Sequence, residues 1–83
     1  MFYERGINMK KLFEFEIVRQ IGTVSEAGTM SIELNLISYS GAEPKYDLRK
    51  WRTIAGERTM QKGITMTADE LRSLRDLLNT VEV

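Results

Sequence analysis

The chain has 83 residues, 12 Lys+Arg against 12 Asp+Glu, 42% hydrophobic residues, one Trp and neither His nor Cys, which describes one small domain with a thin core. The lack of cysteine excludes disulfides, thiolate metal sites and thiol nucleophiles, and the lack of histidine removes the commonest metal ligand and the usual proton carrier near neutral pH. Zero net charge with a pI near 6.3 separates the chain from proteins that coat nucleic acid through bulk charge.

Residues 1–9, with no clear period, are expected to form a flexible leader outside the fold, and Met9-Lys10-Lys11 reads as a second initiation site. Residues 10–83 are expected to form a single domain. No apolar run approaches the ~20 residues of a spanning helix and no signal-peptide core follows a basic start, so a cytoplasmic location is expected.

From Phe13 to Ile21 the sequence alternates, with Phe13, Phe15, Ile17 and Ile21 on one face and Glu14, Glu16, Val18 and Gln20 on the other. This is the period of a strand with one buried side, continuing through Val24 to turn residues at Ser25-Glu26-Ala27-Gly28. A second strand over Ser31 to Tyr39 places Ile32, Leu34 and Leu36 inward and Glu33, Asn35, Ile37 and Tyr39 outward. Ser40-Gly41-Ala42-Glu43-Pro44 breaks it.

The third strand, Lys45 to Arg52, turns Tyr46 and Leu48 inward and puts Lys45, Asp47, Arg49 and Trp51 on the other face. A turn around Ala55-Gly56-Glu57 leads to a fourth strand over Met60 to Thr67, with Ile64 and Met66 as its apolar positions. Gly63 is a place for a bulge, which leaves the facing of Lys62 open. The last element is a helix. Thr67-Ala68-Asp69-Glu70 matches a capping box, acidic residues sit in its first turn, and Leu71, Leu74, Leu77 and Leu78 form an apolar stripe to cover the inward face.

The expected fold is therefore α+β: four antiparallel strands and one C-terminal helix, ββββα. Phe13, Phe15, Leu34, Leu48, Ile64, Met66, Leu71, Leu74 and Leu78 are the expected core or dimer seam. The uncovered face carries Asn35, Ile37, Tyr39, Lys45, Arg49 and Trp51, and an antiparallel sheet tolerates such a face. Between Lys45 and Lys62 there are six basic residues against two acidic ones, although the chain is neutral. Rings that stack on bases and cations that follow phosphates suit single strands better than duplexes. Packing of Tyr39 and Trp51 on a partner, and ion pairing of Arg49 and Lys62 with Asp47 or Glu57, are the structural alternatives for the same residues.

The segment Tyr46-Asp47-Leu48-Arg49-Lys50-Trp51, followed by Lys62-Gly63-Ile64-Thr65-Met66-Thr67 and the capped helix, resembles the positive cofactor 4 family of transcriptional coactivators. Its pattern is an Asp-Ile-Arg-x-aromatic strand, a Lys-Gly-Ile-Ser/Thr-Leu strand and a helix opened by an acidic turn. Ala42-Glu43-Pro44-Lys45 looks like the lead-in of the short bacterial members. The specific match runs over residues 42–78.

The resemblance implies a homodimer whose curved sheets form channels for single-stranded DNA, with single-stranded RNA left open as a second ligand. It implies binding with little sequence preference, in transcription regulation, replication or repair. Carried over by position, the nucleic-acid-binding residues are Tyr39, Lys45, Arg49, Trp51 and Lys62, while Asp47 is expected to orient Arg49. The sequence departs from the pattern at Gln61, where the family often has a second basic residue, and at Arg52, where another aromatic can occur. The serine- and lysine-rich tail of eukaryotic members has no counterpart, so activator docking is not carried over.

Neither a catalytic residue, a metal, a cofactor, a small-molecule substrate nor a membrane partner is expected. Glu14 and Glu16 share a strand face, a spacing that solvation alone produces. The competing reading is a protein-interaction module that docks a partner on the open sheet face without binding nucleic acid.

Overall fold

A computed structural model describes residues 14–83, so the expected leader over residues 1–9 and the core position Phe13 lie outside the described residues. The elements follow in the order β1 (Phe15–Ala27), β2 (Met30–Tyr39), β3 (Lys45–Ile54), β4 (Glu57–Met66) and α1 (Ala68–Leu78), with all four strands in one antiparallel sheet of order β1-β2-β3-β4. This is the expected ββββα architecture. The boundaries differ from the periodic reading by up to three residues, most at β1, which runs to Ala27, and at β4, which begins at Glu57.

Turn chemistry explains both. Gly28 takes a left-handed φ of 62° at the first central position of the β1–β2 turn, which is where a type II′ hairpin wants glycine. Ala55 and Gly56 both have positive φ, 53° and 81°, as a two-residue type I′ hairpin demands. A two-residue turn leaves Ile54 paired with Glu57 and carries β4 three residues further back than its apolar positions indicate.

Side chains paired across antiparallel strands share a face. Leu34, Leu48 and Ile64 are in register on one face, as are Leu36, Tyr46 and Met66, and α1 lies on this side. Phe15 and Tyr39, Ile17 and Ile37, Asn35 and Asp47, and Ser31 and Trp51 are paired on the other. The register of β1 shifts at three places, between Ile17 and Arg19, Gln20 and Gly22, and Thr23 and Ser25. Each such irregularity bends a strand and raises its twist.

The bending is large. Phe15 stands opposite Tyr39 at one end of β2 and Trp51 opposite Ser31 at the other. Eight strand positions span about 26 Å of contour, yet the Phe15 and Trp51 ring centroids are 5.9 Å apart. Only a strongly concave face brings those rings together.

Curvature reverses the expected burial. The face that alternation leaves open to water is the better covered one: Ile37, Asp47, Asn35 and Trp51 are 0–1% exposed there. The expected core face is the looser one. Met66 is buried, Leu34, Leu48, Leu71 and Leu74 are half-buried, and Ile64 and Leu78 are 58% and 59% exposed. Phe15 is displaced from that core altogether, since it packs with Tyr39 and Trp51 on the concave side.

Helix α1 starts as its sequence dictates. The Thr67 hydroxyl accepts from the Glu70 amide at 3.1 Å and the Glu70 carboxylate accepts from the Thr67 amide at 2.9 Å, so two otherwise orphaned donors are satisfied reciprocally. Between α1 and the sheet lies an apolar groove of about 520 Å³, lined by residues that include Val24, Leu34, Leu48, Leu71 and Leu74.

Candidate nucleic-acid interface

Two ion-pair clusters organise the concave face. The first is built on β3, where a spacing of two puts Asp47 and Arg49 on the same side. The fully buried Asp47 carboxylate accepts from Arg49 Nε and Nη2, both at 2.6 Å, in a two-pronged pair, and from the Tyr39 hydroxyl at 2.6 Å. Arg49 Nη2 also donates to the Tyr39 oxygen at 3.1 Å, and Nη1 donates to the Gln61 carbonyl at 2.8 Å. Each ion thereby satisfies the other, which a buried charge requires. Burial, reinforced by the bond to Asp47, pushes the Tyr39 phenol up to about 12. The hydrogen bonds to Asp47 hold Arg49 even more firmly charged than usual.

The Gln61 carbonyl is reachable because β4 is irregular there: Gln61 and Lys62 together oppose Lys50, between the pairs Arg49–Gly63 and Trp51–Met60. This is the bulge that Gly63 allowed for. It leaves the Lys62 side chain exposed.

The second cluster joins three strands. The Glu33 carboxylate on β2 receives a forked pair from Arg58 on β4, at 2.8 and 3.0 Å, along with the Ser31 hydroxyl at 2.7 Å and the Asn35 amide at 3.5 Å. The Arg58 guanidinium lies over the Trp51 ring, 4.6 Å from its centroid. Hydrogen bonding from Arg58, above all, lowers the Glu33 carboxyl to about 2. The indole N–H of Trp51 is buried and has no acceptor among the described residues.

The structure thus brings Tyr39, Arg49 and Trp51 together on one face. Lys45 stands exposed at the start of β3, paired with Ile37 on that same face. Among the described residues Lys45 and Lys62 make no ion pair, whereas Arg49 is spent on Asp47. The expectation of an outward, water-facing Trp51 is corrected. The ring is 1% exposed, because the concave sheet lays Phe15 beside it and Arg58 over it.

Arg58 is not among the binding residues expected from the sequence, Tyr39, Lys45, Arg49, Trp51 and Lys62, because a cation beside a turn is ordinarily solvated. A signal for it exists all the same. Once Ala55-Gly56 is read as a two-residue hairpin, Arg58 falls opposite Thr53, two positions along β3 from Trp51 and so on its face. Lys50 and Arg52, paired with Ile32 and Met30, lie on the opposite side.

Fold and site together define a one-sheet, one-helix domain that presents a stacked aromatic among basic side chains. The family described as Transcriptional Coactivator p15 (PC4) matches residues 29–77, a stretch that includes β2, β3, β4 and most of α1. A protein of Treponema pallidum (strain Nichols), described as an uncharacterized protein, is 42% identical over 72 residues, covering 86% of this chain and 82% of its own length. The chain belongs to the PC4 family, and the region matched is a nucleic-acid-binding domain of a DNA-binding, non-enzymatic family. No helix among the described residues is long and apolar enough to cross a membrane.

Proposed function

We propose that the protein is a cytoplasmic homodimer that binds single-stranded DNA, and single-stranded RNA by the same chemistry, with little sequence preference, in transcription regulation, replication or repair. The observation that carries this reading is the cation over Trp51: the flat, hydrogen-bonding guanidinium of Arg58 already occupies the ring face in the free chain. A nucleobase is a flat group of the same kind, and base–aromatic stacking contributes about 1–3 kcal/mol per base.

The roles divide by exposure. Lys45 and Lys62 are exposed and unpaired among the described residues, and they take the phosphates. Trp51 stacks once Arg58 swings out. Tyr39 and Arg49 touch the strand at the rim and, through Asp47 and the Gln61 carbonyl, hold β2, β3 and the bulge in register. Dimerisation is supported by the apolar groove beside α1 and by the exposed Ile64, Leu77 and Leu78, which a second copy would cover.

The test is an anisotropy titration of a labelled 20-nucleotide oligo-dT with the purified protein at two salt concentrations. Saturable binding at two chains per strand, poorly competed by duplex, is expected. Replacing Lys45 and Lys62 by Gln lowers the slope of log affinity against log salt by about 0.7 for each phosphate that is no longer neutralised. No binding at tens of micromolar protein in low salt overturns the reading in favour of a protein-docking module.

A further inference from the structure

We propose that the niche formed by Glu33, Trp51 and Asn35, filled in the free chain by Arg58, is a subsite that prefers guanine over other bases. This inference rests on the single-strand reading above and refines it: binding stays sequence-tolerant along the strand, with one favoured base per protomer. Four observations carry it.

The first is the geometry of Arg58. Its guanidinium lies on the Trp51 ring at 4.6 Å and simultaneously forks onto the two oxygens of Glu33 at 2.8 and 3.0 Å. Two adjacent N–H donors at the edge of a flat group that sits over an aromatic ring is the pattern of the guanine Watson–Crick edge, with its N1–H and 2-amino group. Adenine, cytosine and thymine do not offer two neighbouring donors there. That edge is free only in a single strand.

The second is the preparation of the carboxylate. Glu33 is 6% exposed, oriented by Ser31 at 2.7 Å and Asn35 at 3.5 Å. A buried carboxylate pinned by short polar neighbours accepts from a neutral base without being reorganised.

The third is the orphaned indole N–H. Trp51 is 1% exposed and its Nε1 lacks an acceptor among the described residues. Buried donors are almost always paired, and this one, directed in the ring plane, lacks what an acceptor of a neighbouring nucleotide at the ring edge, not of the base on the ring face, would supply.

The fourth is space. Cavities of about 340 and 220 Å³ flank the Glu33–Arg58 pair, and both residues, with Glu26, line both cavities. Arg58 lines both, its side chain 36% exposed and rooted next to a two-residue turn. When it swings out, the space it fills beside Glu33 is freed and its guanidinium is left for a phosphate. Glu26 lines both cavities as well, and its carboxylate disfavours a phosphate there.

The experiment compares three labelled 20-mers on the intact protein: oligo-dT, the same strand with one central dG, and the same strand with inosine there, which lacks the 2-amino group. The dG strand is expected to bind about tenfold tighter than oligo-dT, the scale of a bidentate base contact, and inosine is expected to lose most of that margin. In Glu33→Gln the dG-to-dT ratio falls towards one, whatever the common affinity becomes. Equal affinities for all three strands overturn the guanine subsite and leave single-strand binding standing. Binding to none overturns both.

Discussion

A methyl group on Gly63 would stand 2.6 Å from the Arg49 Cα and closer still to its Cβ, so these two paired residues leave no room for a second side chain between them. The close approach is what lets the Arg49 guanidinium reach the Gln61 carbonyl across the bulge. Gly63→Ala is therefore expected to push β3 and β4 apart at a cost of about 1–3 kcal/mol. For a domain of this size each kcal/mol lowers Tm by roughly 4–8 °C, which differential scanning calorimetry resolves. An unchanged Tm would show that the strands adjust freely.

Asp47 is the anchor of the same cluster. Replacing it by Asn leaves Arg49 largely buried with no countercharge, and removal of one partner of such a pair costs about 3 kcal/mol. Asp47→Asn should lower the urea midpoint with little change in the slope of the transition. Replacing both ions by apolar residues should be milder than the single change.

Stability should be flat between about pH 5 and 9 and fall on both sides. Glu33 has its folded pKa lowered from 4.5 to about 2, so its contribution is fully present above 4.5 and is lost as pH falls through that window. Tyr39 has its folded pKa raised from 10.0 to about 12, so its contribution is fully present below 10 and is lost as pH rises towards 12. Urea midpoints across pH test the sign. Glu33→Gln should flatten the acid limb, and Tyr39→Phe the alkaline one.

Ala55 occupies a left-handed φ of 53° in the β3–β4 turn, a conformation that costs a residue with a Cβ about 1–2 kcal/mol. Glycine relieves that strain but gives back part of the gain as unfolded-chain entropy. Ala55→Gly is expected to stabilise the protein by about 0.5–1 kcal/mol in thermal melts, leaving nucleic-acid affinity alone.

What is legible in the sequence is what local chemistry dictates. Thr67 and Glu70 announce the start of α1 because a capping box needs only residues three apart. Gly63 announces an irregular or closely approached β4 because a strand-interior glycine marks a bulge or a neighbour too near for a side chain. Alternation also sorts Tyr39, Asp47, Arg49 and Trp51 onto one face. It does not say whether that face is open. Burial there depends on curvature, set by three irregularities in β1, of which only the one at Gly22 falls on a residue type that marks it, and seen in the meeting of Phe15 with Trp51. The role of Arg58 is hidden for a related reason, since its facing depends on a two-residue turn containing an alanine where Asn or Asp is usual.

A single strand that binds as proposed stacks on Trp51 in place of Arg58. Trp51 is the sole tryptophan, so its intrinsic fluorescence reports that event directly. Titration with unlabelled oligo-dT at low salt is predicted to quench it saturably, with a midpoint matching the anisotropy titration, and duplex of equal length is predicted to leave it unchanged. Strand binding seen by anisotropy with no change in Trp51 emission would contradict the account.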